Sequence, residues 1–64
     1  MWTVCWKEGN KQTERWERFE EEQEVRIKIE ELTLYQYEWH IALDEILILS
    51  PTGDETNGYA YLHE

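Results

Sequence analysis

Few side chains in this sequence could carry chemistry. One cysteine (Cys5), two histidines (His40, His63) and a Ser50-Pro51 pair stand among 15 Asp and Glu. A cysteine nucleophile needs a base or cation that holds it as thiolate. No histidine is close to Cys5 in sequence and Lys7 is its only same-face cation, so Cys5 reads as a small packing residue. His40, between Trp39 and Ile41 with Glu38 near, reads as a partly buried structural histidine rather than a pH switch or ligand, and His63 as exposed near the chain end. The Cys and His residues lack CxxC or HExxH spacing, so neither a metal cluster nor a cofactor is expected. Ser50 has no GxSxG around it and marks a strand-ending turn. No carboxylate pair stands out as general acid and base, and so short a chain builds no pocket of ordinary volume alone. No sequence feature supports an enzyme.

Recognition remains. Tyr35, Tyr37, Tyr59 and Tyr61, with Glu38, Asp44 and Glu45, form a candidate partner-binding set, because tyrosines beside acids and away from cations suit protein contact. The competing reading is that two of these tyrosines simply finish a small core. The formal charge is −9, and all six Lys and Arg lie within the first 28 positions. Phosphate contacts need Lys or Arg, so direct nucleic-acid binding is disfavoured, as is an anionic membrane surface. Charge favours a basic protein partner; solubility alone explains it equally well. No apolar run reaches the roughly 18 residues of a membrane span, and the N-terminal stretch reads as neither a basic region nor an apolar signal segment. A cytoplasmic location is expected, in keeping with an unpaired thiol.

The elements that position these residues are organised around Ile41–Pro51, the most apolar run, which predicts a central strand over 45–50 ended by Pro51 and Gly53. Residues 2–7 alternate, with Trp2, Val4 and Trp6 on one face and Thr3, Cys5 and Lys7 on the other. A turn at 8–11 follows. A three-residue loop over 9–11 sets Val4 opposite Trp16 and gathers the large rings on one face, so a second strand is expected over about 12–18. Phe19 and the acids from Glu20 onward suit a helix start. Val25, Ile29 and Leu32 then follow a helical stripe, giving a helix from 20 to about 36. Its end is open, because no glycine lies between 10 and 53; alternation of Tyr35, Tyr37, Trp39, Ile41 and Leu43 leaves a strand over 35–43 as the alternative. Residues 51–58 read as a turn-rich loop, and 59–64 as an edge strand or frayed tail.

These elements predict one domain over 1–64 of α+β class. A small antiparallel or mixed sheet in ββαβ order, with a fourth C-terminal strand as an option, carries one helix on one face. The spatial order is 2-1-3, and a fourth strand would lie beyond the third. The expected core is Trp2, Val4, Trp6, Trp16, Val25, Ile29, Leu32 and alternate aliphatics of 46–49.

Trp2-x-Val4-x-Trp6, the Gly9-Asn10 turn, Trp16-x-x-Phe19, the acidic helix start and the closing Ile46-x-Ile48-x-Ser50-Pro51 strand together resemble the very short β-β-α-β proteins common among phage and prophage reading frames. The resemblance covers about residues 2–51 and consists of packing motifs, which bring no catalytic residues. It implies an accessory or regulatory protein, including an acidic inhibitor of a host or defence protein.

A second stripe, Ile27, Leu34 and Ile41, falls on the helix side away from Val25, Ile29 and Leu32. A short chain without disulfide or metal has little core, so a homodimer is expected, through this stripe or through an exposed edge strand and its tyrosines.

Overall fold

The computed structural model describes residues 1–62. The fold is α+β. Strands β1 (Trp2–Glu8) and β2 (Thr13–Phe19) form a hairpin, helix α1 (Glu22–Leu34) follows, and a 3₁₀ turn (Leu43–Glu45) leads to β3 (Leu47–Leu49), β4 (Glu55–Asn57) and a short helix α2 (Gly58–Leu62). The four strands pair antiparallel in the order β2-β1-β3-β4. The third strand thus lies beside the first, as the sequence pattern predicts.

Alternation along β1 buries Val4 and Trp6, and β3 adds Ile48 opposite Val4. Against this inner face α1 lays Val25, Ile29 and Leu32, all fully buried. Ile41, Ile46 and Tyr61 complete the core, with Trp2, Phe19, Trp39 and Leu43 packed around it. The start of α1 is fixed by Glu24, whose carboxylate accepts the Glu20 and Glu21 backbone N–H groups at 3.1 and 3.2 Å.

The structure corrects several expectations. The hairpin loop holds four residues, not three, because Gln12 as well as Gly9 takes positive φ (54° and 81°), and the Gln12 amide closes on the Gly9 carbonyl. One extra residue turns every β2 side chain over. Trp16 therefore pairs with Cys5 on the outer face, 64% exposed, and is absent from the core.

The chain after α1 is neither more α-helix nor a strand. It turns over 35–40 and closes with His40 at φ 53°, Ile41 N–H reaching back to the Gln36 carbonyl at 2.8 Å. That closure ordinarily uses glycine; histidine, among the side chains that tolerate left-handed backbone best, replaces it. His40 is exposed, not partly buried. Ile41 is turned into the core, so it cannot continue a surface stripe with Ile27 and Leu34.

The fourth strand falls at 55–57, inside the stretch expected to be loop, and 58–62 is helical rather than an edge strand. β4 is the sheet edge and only half-buries Thr56, so its sequence carries no apolar alternation. Central β3 is also shorter than expected, at 47–49. His63 and the end of the expected tail lie outside the described residues.

Candidate functional site

Two regions gather polar and aromatic side chains. The first, contrary to the expectation that so short a chain builds no pocket of ordinary volume, is an open groove of about 650 Å³ where the hairpin meets the turn after α1, lined by Trp6, Glu8, Arg15, Lys28, Trp39 and His40 among others. The Gly9 N–H donates to the Trp39 carbonyl at 2.7 Å and ties the two segments together. One Glu8 carboxylate oxygen accepts Trp6 Nε1–H and the other accepts Arg15 Nε–H, both at 3.1 Å. Lys28 Nζ sits 4.8 Å from the Trp6 ring centre, with Glu17 and Glu31 carboxylates at 3.8 and 3.9 Å. Each of these two cations is thus already matched by carboxylate. The lining holds as many carboxylates, Glu8 and Glu38, as cations, Arg15 and Lys28, so it has no net positive charge to hold an anion, and its ion pairs hold the hairpin onto α1.

Cys5 lies elsewhere, on the outer face between Trp16 and Leu47. Partial burial, and secondarily the Glu14 carboxylate, push its thiol above the usual range, the reverse of what a nucleophile needs. Ser50 is occupied within its own loop, its Oγ accepting the Asp54 N–H at 3.0 Å and lying 2.9 Å from Thr52 Oγ1. Among the described residues no three His, Cys, Asp or Glu converge as metal ligands would, and no helix is long and apolar enough to cross a membrane.

The second region is the edge formed by the 3₁₀ turn, β4 and α2, which pack on one another. It carries Asp44, Glu45, Glu55 and Tyr59, all exposed. No Lys or Arg occurs after Lys28. The cations belong to β1, the hairpin loop, β2 and α1, so the sheet order places this acidic edge opposite β2.

The predicted partner-binding residues divide accordingly. Asp44, Glu45 and Tyr59 come together on the acidic edge. Tyr35, Tyr37 and Glu38 lie in the turn after α1, where Tyr35 stacks on Trp39 at 4.5 Å and Tyr37 is 84% exposed. Tyr61 is 4% exposed and belongs to the core; its hydroxyl donates to Glu22 at 3.3 Å and Arg26 lies over its ring. The three-residue spacing from Gly58 to Tyr61 is compatible with a helical turn that faces inward, but Tyr59-Ala60-Tyr61 reads as strand alternation just as well. Glu55 was missed because it stood in a presumed loop. No protein-family model, curated protein or solved structure matches the chain.

Proposed function

We propose that this chain is a small protein-binding accessory module, whose acidic edge receives a basic segment of another protein. The observation that carries the reading is the segregation of charge by the fold. β4 and α2 bring the cation-free half of the sequence to one edge, while the cations stay at the other or on α1. A surface of one sign draws in a partner of the other and speeds encounter, and tyrosine beside it supplies contact area at small entropy cost. The resemblance to short phage-type β-β-α-β proteins suits such a role, in which the module would act in the cytoplasm as a regulator or inhibitor that offers acidic surface in place of nucleic acid.

The test is titration of the labelled protein with a Lys- and Arg-rich peptide, followed residue by residue by NMR at two salt concentrations. Shifts should concentrate at Asp44, Glu45, Glu55 and Tyr59, and binding should weaken as salt rises. A double Asp44→Asn, Glu45→Gln variant should bind more weakly than Glu20→Gln, Glu21→Gln, which removes equal charge near the start of α1. Equal loss in the two variants, or shifts spread over the whole surface, would show that only net charge matters.

A further inference from the structure

We infer that two copies of this chain join edge to edge through β2, in antiparallel pairing centred on Trp16, to make one continuous eight-stranded sheet. β2 is the long free edge of the sheet: seven residues, six of them exposed, whereas the opposite edge has only three. An edge strand of that length leaves backbone N–H and C=O groups open to another strand. Charges along such an edge normally block pairing. Here their order decides otherwise.

The strand reads Thr13-Glu14-Arg15-Trp16-Glu17-Arg18-Phe19. A two-fold axis normal to the sheet keeps inner faces with inner faces, so each possible register sets one residue opposite itself. With Trp16 at the axis, Glu14 faces the partner's Arg18 and Arg15 faces the partner's Glu17, which gives four opposite-charge pairs in the dimer. Moving the axis to residue 14, 15, 17 or 18 sets Glu14, Arg15, Glu17 or Arg18 against its own copy. The strand is thus complementary to itself in one register and repulsive in those beside it. It is also locally neutral within a chain of charge −9, and it lies at the edge opposite the acidic one.

The side chains around the edge fit the same partner. On the outer face Trp16, with the Arg18 guanidinium 5.5 Å from its ring centre, would meet the partner's Trp16. On the inner face α1 lies along β2, and Ile27, 57% exposed, borders a hollow of about 330 Å³ with Glu17, Phe19, Glu24, Lys28 and Glu31. Leu34, 74% exposed, stands seven residues further along the same helix stripe. A second copy brings its own α1 to this flank and covers both. The Arg15–Glu8 ion pair uses Nε, and a guanidinium has further N–H donors for a second carboxylate.

The experiment exploits the symmetry. Sedimentation of the full chain from about 10 μM to about 1 mM should show monomer passing to dimer. Glu14→Arg sets a cation against the partner's Arg18, and Arg18→Glu sets an anion against the partner's Glu14. Either alone should weaken self-association by about tenfold or more, since two attractive pairs become repulsive. An equimolar mixture of the two variants restores all outer pairs and should form a heterodimer at least as tight as the wild-type dimer. Circular dichroism on each variant checks that it remains folded, and Arg15→Glu with Glu17→Arg provides a second variant pair on the inner face. A wild-type monomer at about 1 mM, single variants that dimerise undiminished, or folded variants of both pairs that fail to associate on mixing would each overturn the inference.

Discussion

Gly58 is the one glycine of the three with no room for a side chain, and replacing it with alanine tests whether the acidic edge is built as described. Its N–H donates to the Ile46 carbonyl at 2.9 Å, which joins α2 to the start of β3. A β-carbon there would lie 2.9 Å from the Leu43 carbonyl oxygen, 3.0 Å from Ile46 Cβ and 3.1 Å from Ile46 Cδ1. Only the last belongs to the movable tip of a side chain. The other two are anchored to backbone, so α2 must be pushed off the 3₁₀ turn, stretching the hydrogen bond. Overpacking of this kind costs about 1–3 kcal/mol. Alanine's better helix propensity returns a fraction of about 1 kcal/mol, and little of it at the first residue of a five-residue helix. The net loss is about 1–2 kcal/mol, against a total stability of about 3–10 kcal/mol for a chain of this length. Tm should fall by about 5–15 °C, and the urea midpoint should drop with an unchanged slope, followed by tryptophan fluorescence. Ile46→Val removes Cδ1 beside the new methyl and should recover about 0.5 kcal/mol when combined with Gly58→Ala, relative to the sum of the single losses. A Gly58→Ala protein as stable as wild type would refute the packing of α2 on this edge.

Two further outcomes follow from the backbone and the thiol. His40→Gly should stabilise the fold by about 0.5–1 kcal/mol, because glycine adopts φ 53° without a Cβ penalty that exceeds its extra chain entropy; a destabilised His40→Gly in thermal melts would mean that the imidazole itself holds the turn. Cys5 should be alkylated with a pH midpoint above the ordinary thiol range, and Glu14→Gln should lower that midpoint without bringing it to the ordinary value, because burial is the larger cause. The sign for stability is set by the same shift: the unfolded chain releases the thiol proton first, so Cys5 makes the fold less stable as pH rises from the ordinary thiol range through its raised pKa. A midpoint at or below the ordinary range would contradict the placement of Cys5 beside Trp16 and Glu14.

What the sequence made legible is what a repeating pattern must bury. Val4 and Trp6 at period two, and Val25, Ile29 and Leu32 at helical spacing, each meet a single core, so their faces follow from their spacing. The four consecutive aliphatics Ile46–Leu49 have no alternation, so which alternate pair enters the core is decided only by the pairing of Ile48 with Val4. The hairpin register was not legible either, because three- and four-residue loops differ only in whether a residue such as Gln12 adopts left-handed backbone, and a glutamine gives no sign of doing so. His40 hid the end of α1 in the same way, standing where glycine would have announced it. β4 was invisible because Glu55-Thr56-Asn57 turns only Thr56 toward the interior. Of the candidate surface residues, Asp44, Glu45 and Tyr59 share one edge, but nothing in the sequence separates them from Tyr35, Tyr37 and Glu38, and Tyr61 is indistinguishable from its exposed neighbour until α2 turns it inward.

The two edges of the sheet pose opposite electrostatic problems, and their solutions bear on each other. A strand that carried the chain's average charge would be net negative and would repel its own copy. β2 escapes by holding two acids and two bases in an order that self-pairing matches, while Asp44, Glu45 and Glu55 lie at the other side of the sheet. Joined through β2, two copies would hold their acidic edges at the two ends of one eight-stranded sheet, about seven spacings of about 4.8 Å apart and so well beyond the Debye length of about 8 Å in physiological salt. The repulsion between those two edges is then largely screened, and the dimer would offer a basic partner two equivalent surfaces rather than one.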